Sequence, residues 1–501
     1  MFDTQIVRRF RRVALFAAAG TLIHVAGSSL VAQQTSALTK QQRDSAARAD
    51  SVKRAGMAGM PGMAGMKAPA KSSPAAKDTT SMSAMGVVPT GPLTMMAYDP
   101  LGISMERMGS GTSWIPDAVS LPSRHFSAGQ WDLMAHGFVF VQENVQDGPR
   151  GGSQFGSLNW GMFMATHELA GGRFQARTML SVDAATVTPR GYPLLLQTGE
   201  AFHGVGLHDR QHPHDFLMEL GALYERPITT SLGVNLYAAP SGEPALGPVA
   251  FMHRPSAMDM PQAPITHHWQ DATHVSFGVL TAGLFGRTWK MEGSYFNGRE
   301  PDENRWDIDP IKLDSYSGRL TLNPTANWSF TGGYGYIKSH DPLNPTQSMH
   351  RTIASVMHGT RLGTDGQWSS TFVWGVNKHP GQPVTNGVLA ETEAILDHRN
   401  TILGRLTFVQ EEAGDLAVDT PPLSFPSDRL FDVGTASLGF IRELFNGKAA
   451  TIGLGVLGTV NAVPSALEST YGSRTPLGGL LFLRLRPTWS SNAKPGTPGM
   501  G

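Results

Sequence analysis

From about residue 130 onward, apolar and polar residues alternate in runs of 9 to 13 that break at turn residues. Period two is the signature of a strand with one apolar and one polar face. The pattern predicts strands near 131–143, 155–167, 172–183, 214–226, 229–239, 273–284, 286–297 and 313–323. It continues near 326–337, 349–361, 367–377, 386–396, 401–411, 432–444, 449–461 and 476–486. Near 326, Trp328, Phe330, Tyr334 and Tyr336 share one face, against Ser329, Thr331, Gly333 and Gly335 on the other. Near 386, Ala390, Thr392, Ala394 and Leu396 oppose Glu391 and Glu393; near 313, Tyr316, Leu320 and Leu322 oppose Ser315, Ser317, Arg319 and Thr321. Carboxylates at successive inward positions are costly in a dry core and tolerable in a wet lumen.

The connections alternate in length. Short ones, such as 168–171, 227–228, 286–287, 323–325 and 445–448, separate long ones near 184–213, 240–272, 298–312, 412–431 and 462–475. Outer-membrane barrels have short periplasmic turns and long external loops. The expected fold class is therefore all-β, a transmembrane antiparallel β-barrel of about sixteen strands over residues 126–489, with residues 490–501 as a disordered tail. Sixteen strands enclose an aqueous channel unless loops plug it. Arg173, Arg177, Glu219, Glu292, Arg319, Glu391, Glu393, Arg405 and Arg484 fall at inward positions and are the expected pore-lining residues.

The N-terminus carries Arg8, Arg9, Arg11 and Arg12, an apolar run from Val13 to Val31, and then Ala32. That order is the pattern of a secretory signal peptide, here residues 1–32; an uncleaved anchor is the alternative. Residues 33–125 read as a disordered linker rich in Met, Ala, Gly and Pro. Met57, Met60, Met63 and Met66 recur at every third position there, where Gly and Pro leave them no core to fill. A flexible chain of thioethers suits Cu(I) or Ag(I); low-complexity drift is the bland alternative.

Composition narrows the function classes. Lys+Arg and Asp+Glu are 40 each, so no net field attracts nucleic acid. The chain has no Cys, which excludes disulfides, thiolate metal sites and a Cys nucleophile. The unusual chemistry sits in two long loops. The first holds His203, His208, His212, His214 and Asp215; the second holds Met252, His253, Met258, Met260, His267 and His268, with His274 expected to open the next strand. Imidazole with carboxylate suits Cu(II), Zn(II) or Ni(II), and added thioether extends the set to Cu(I). Structural polar clusters, or Met and Trp packing a loop folded into the pore, account for the same residues without a metal. A hydrolase is the weaker alternative, since no Gly-x-Ser-x-Gly elbow is present.

The export signal, the lead Met57-Ala58-Gly59-Met60-Pro61-Gly62-Met63 and a barrel with His/Met loops together resemble the copper-resistance outer-membrane proteins of the B type. The segments Asp209–Asp215, Phe251–Pro255 and Thr266–Trp269 are also similar to a set of uncharacterised bacterial proteins of outer-membrane type. The expected function is a non-enzymatic outer-membrane barrel that binds and passes copper-like ions, with copper bound or carried rather than structural. A general diffusion porin with His/Met loops constricting the pore is the runner-up. Expected partners are outer-membrane lipid, metal ions and periplasmic efflux or copper-oxidising proteins, with the N-terminal segment in the periplasm.

Overall fold

The computed structural model describes residues 100–339 and 343–488. Sixteen strands form a closed antiparallel barrel. They are β1 Trp131–Gln146, β2 Gly152–Leu169, β3 Gly172–Leu180, β4 Leu217–Pro227, β5 Gly233–Gly242, β6 Ser276–Phe285, β7 Trp289–Phe296 and β8 Ser315–Thr325. Then follow β9 Trp328–Lys338, β10 Ser348–Leu362, β11 Gly366–Lys378, β12 Val384–Ile395, β13 Asn400–Glu412, β14 Leu430–Asn446, β15 Ala450–Ala462 and β16 Leu477–Pro487. Each strand pairs with the next, and β1 closes on β16 with Val139 opposite Leu485 and Gln146 opposite Gly478. Every expected strand is present, with ends displaced by a few residues. His274 does not open β6; it ends the short turn Ala272–His274 before Ser276.

The alternation works as read. Burial alternates from Ser315 to Pro324 in β8 and along the whole of β12, with Arg319, Glu391 and Glu393 buried inside and Tyr316, Leu320 and Leu322 exposed outside. Apolar side chains such as Phe163, Leu236, Met291, Leu406 and Leu438 cover the exterior. One end of the barrel carries tight turns. Ala170 and Gly171, both at positive φ, reverse β2 into β3, a conformation whose twist matches the flanking strands. The other end carries the long connections 181–216, 243–275, 297–314, 413–429 and 463–476.

Two segments fill the bore. Residues 100–125, expected to be disordered, are folded: Leu101, Ile103, Trp114, Ile115 and Val119 are buried against the inner wall. The segment ends in a short strand, Arg124–Ala128, which pairs with the start of β1. Sequence gave no sign of this, because its apolar residues follow no period; they dock onto a preformed surface. The second segment is the loop 243–275, in which every residue is buried. It presses directly on the wall at glycines. A Cβ on Gly333 would lie 2.0 Å from the Leu246 carbonyl oxygen, and one on Gly375 would lie 2.1 Å from that of Trp269.

The inward charges hold this loop in place. Arg254, fully buried, reaches Glu391 through Nε at 2.6 Å and Asp271 at 3.0 Å. Arg405 also bonds Glu391, and Arg484 pairs with Asp259 at 2.5 Å. Arg177 pairs with Glu219 at 3.1 Å, Arg319 with Glu292 at 3.0 Å, and Arg173 with Glu225. Glu393 receives the Asp259 backbone N–H. All nine predicted pore-lining residues are therefore buried at inward positions, in contact with other protein groups. At this level the bore is packed with protein.

Candidate metal centre

The long loop 181–216 is shaped by two small hairpins. Glu200–Phe202 pairs with Val205–Leu207 across His203 and Gly204, both at positive φ. His203 therefore sits at an exposed turn tip, with Nδ1 3.2 Å from Glu303 and its ring centroid 4.0 Å from that of Phe202. His208 lies 2.9 Å from Asp209, which is committed to Arg150 and the Leu196 N–H. These two histidines hold the loop's fold.

The same hairpin delivers Glu200 to the lumen. Its Oε1 lies 2.6 Å from His212 Nε2 and 3.6 Å from His268 Nε2, while His268 Nδ1 lies 3.2 Å from Glu300 Oε1. Glu200, His268 and Glu300 are all buried, and their donor atoms all lie within 4.8 Å of one another. His268 stands on the single helical turn His267–Gln270, and Gly199 leaves room for its ring, since a Cβ there would meet it at 2.6 Å. Neither Glu300 Oε2 nor His268 Nε2 has a hydrogen-bond partner. A cavity of about 450 Å³, lined by Thr198, Trp269, Asn377 and Thr385 as well as Glu200 and His268, adjoins the cluster.

Its carboxylates draw positive charge, and Arg305 already shares Glu200 at 3.7 Å. Burial opposes charge on His268, but Glu300 and Glu200 raise it above the ordinary imidazole value. Burial, reinforced by Arg305, pushes His212 well below that value. The Pro213 carbonyl 2.8 Å from His212 Nδ1 takes that ring proton, leaving the Nε2 lone pair facing the Glu200 carboxylate. Such a contact needs a proton or a metal ion between its atoms. A ligating imidazole with its other N–H on a backbone carbonyl is the usual metal arrangement. Asp215 is not in the cluster; it pairs with Arg305 at 3.2 Å, and burial pushes it up to about 6.

Further imidazoles run inward from this cluster. Ring centroids of His268 and His267 are 5.3 Å apart, those of His267 and His274 5.2 Å, and those of His274 and His214 5.5 Å. His214 and His267 are held by Asp183 and Asp271 at 2.8 and 2.7 Å. Burial alone would raise Asp271, yet Arg254 and His267 hold it well below the usual carboxylate range. His274 Nδ1 faces the Asp271 carbonyl and its Nε2 has no partner. His274 and His253 line one small void with Met179. His253 has no partner on either ring nitrogen, and its centroid lies 5.2 Å from that of His136. Burial keeps His253 and His274 well below the ordinary value, so both are neutral and able to donate lone pairs.

Of the predicted donors, the fold brings His212 and His268 into the cluster and His214, His267, His274 and His253 into the line behind it. Met252, Met258 and Met260 are buried in the apolar core of the loop beside that line. Met57, Met60, Met63 and Met66, the signal peptide and the C-terminal tail lie outside the described residues. Glu200, Glu300 and His136 were missed. Glu200 stands in the histidine-rich loop 181–216, and Glu300 lies in the loop 297–314, which has no histidine to mark it in the composition.

No protein-family model matches the chain, and no curated protein matches it. Among solved structures, an anion-selective porin from Comamonas acidovorans aligns over 71% of this chain and 99% of its own, at 9% identity and TM-score 0.44. The outer-membrane channel DcaP of Acinetobacter baumannii aligns over 73% and 100%, at 10% identity and TM-score 0.42. OprB of Pseudomonas putida aligns over 72% and 94%, at 12% identity and TM-score 0.44. Likeness at this level says nothing of cargo or site, and it adds nothing to the copper-resistance resemblance.

Proposed function

We propose that this protein spans the outer membrane and binds and passes transition-metal cations of the copper kind. The reading rests on one observation: a buried carboxylate–imidazole cluster beside a cavity continues into the imidazoles of His267, His274 and His214 at centroid spacings of 5.2 to 5.5 Å, and a small void lined by His274 and His253 lies between these and the His253–His136 pair. A barrel with an apolar exterior and polar interior suits lipid, and neutral buried imidazoles suit borderline cations better than Mg²⁺ or Ca²⁺. No catalytic role is assigned.

The strand number and the alternation of turns and loops equally suit a general diffusion porin. The two readings separate in reconstituted membranes. Liposomes carrying the full chain should accumulate Cu(II) over Mg²⁺ while planar bilayers show little steady KCl conductance. A large ohmic conductance with passage of uncharged sugars would establish the porin instead, and a barrel silent to both ions would overturn passage.

A further inference from the structure

The inner wall of β1 to β3 carries donors that the outer cluster does not use. Met134 and His136 face inward on β1, Met162 and Met164 on β2, and Met179 on β3. The register sets Met134 opposite Met164, His136 opposite Met162, and Met162 opposite Met179. Directly opposed residues bring their Cβ atoms to roughly 4.5–5.5 Å, so these side chains share one patch. The N-terminal segment covers the patch with Met105 and Met108 and encloses a cavity of about 50 Å³, which Glu106 and His125 also line.

Met alone would be unremarkable, because a flexible thioether fills irregular gaps in any core. His136 is different. It is 7% exposed, its Nε2 lies 3.2 Å from Met162 Sδ, and its Nδ1 has no hydrogen-bond partner. Buried imidazoles ordinarily bond to oxygen or nitrogen, and a thioether is a weak acceptor. The pocket's rim also carries two carboxylates, Glu106, which faces His125 at 3.9 Å, and Asp132, with the polar side chains of Ser123, Thr166 and Gln175. Against His136 itself lie the Met162 sulfur and the rings of Trp160 and His253, and sulfur with imidazole prefers a soft d¹⁰ ion to Zn(II) or an alkaline-earth ion.

We infer that Met162, Met164 and His136, with Met134 and Met108 lining the same cavity, form a binding site for a soft monovalent cation, Cu(I) or Ag(I). It lies next to His253, whose ring centroid is 5.2 Å from that of His136, at the end of the barrel with tight turns. Its place on a route rests on the metal-passage reading; the site itself rests on the pocket.

The test uses the full chain in detergent with Met57, Met60, Met63, Met66, Met82, Met85, Met95 and Met96 replaced by Leu, so that no N-terminal thioether competes. Ag(I) serves as the redox-stable probe. Adding Met162→Leu and Met164→Leu, which conserve volume, should remove one tight Ag(I) equivalent or weaken it at least tenfold, while the heat-modifiable mobility of the folded barrel stays unchanged. Unchanged affinity and stoichiometry in the folded variant would overturn the site. Should that variant misfold, silver X-ray absorption on the parent decides. Sulfur scatterers with one light atom, the latter lost in His136→Leu, support the site, and a shell of oxygen and nitrogen alone refutes it. Ag(I) bound here without copper flux in liposomes would leave the site standing and remove the passage reading; flux without the site would do the reverse.

Discussion

The two ends of the lumen present opposite chemistry on one scaffold. Beneath the long loops, Glu200, His212, His268 and Glu300 offer carboxylate and imidazole beside a cavity of about 450 Å³. Above the tight turns, Met134, Met162, Met164 and His136 offer thioether and imidazole around about 50 Å³. The outer donors come from loops that meet only after folding; the inner ones come largely from adjacent strands in fixed register. Loops can gather charge because arginines and histidines converge on them. Elsewhere the strands meet the plug with charged side chains such as Glu391 and Arg484; at this patch they meet it with methionine, an apolar residue that is also a ligand.

The plug separates the two ends, so releasing it gives the largest predicted effect. Arg254→Ala removes the guanidinium that ties Asp271 to Glu391, leaving Glu391 with Arg405 and Asp271 with His267, and breaking a buried pair costs up to about 3–5 kcal/mol. The expected result is a barrel that keeps its mobility on gels but shows a steady bilayer conductance absent from the parent. Gly375→Val should act in the same direction, because its side chain would occupy the space of the Trp269 carbonyl; an unchanged conductance in both would show that the plug does not bar the route.

Next in size is a double dissociation. Glu200→Gln with Glu300→Gln should weaken Cu(II) or Zn(II) binding roughly 10- to 100-fold, the scale found for altered metal-site groups, and leave Ag(I) binding intact. Met162→Leu with Met164→Leu should do the converse. Isothermal titration of each ion against each variant measures it, and equal losses in both would merge the two ends into one site.

The smallest effect is a pH dependence at the seam between plug and N-terminal segment. Glu243, held against Gly111, is pushed up to about 8, first by burial and against the pull of Arg319. An acid raised on folding binds more protons folded than unfolded. Its contribution is therefore fully present below the ordinary value of 4.5 and is lost as pH rises towards 8. Thermal unfolding should show the parent losing stability over that window, and Glu243→Gln should flatten the loss.

Much of the barrel is readable from the chain. Period-two alternation reports the two faces of each strand locally, and connection lengths report which end each turn occupies. Arg173, Arg319 and Glu391 point inward because their neighbours point outward, whatever lies across the bore. The histidine-rich loops were also visible as composition. Their division of labour was not: His203 and His212 lie in one loop, yet a positive-φ turn exposes the first and pairing with Glu200 buries the second.

The sequence by itself determined a sixteen-strand cylinder, its inward and outward residues, and the loops in which metal-binding side chains concentrate, because each of these depends on spacing between near neighbours. Tertiary structure alone decided that residues 100–125 fold into the bore, that Arg254 finds Glu391 across 137 positions, and that Glu200, His268 and Glu300 meet in one cluster. Those contacts join residues distant in the chain, and only closure of the barrel brings them within reach.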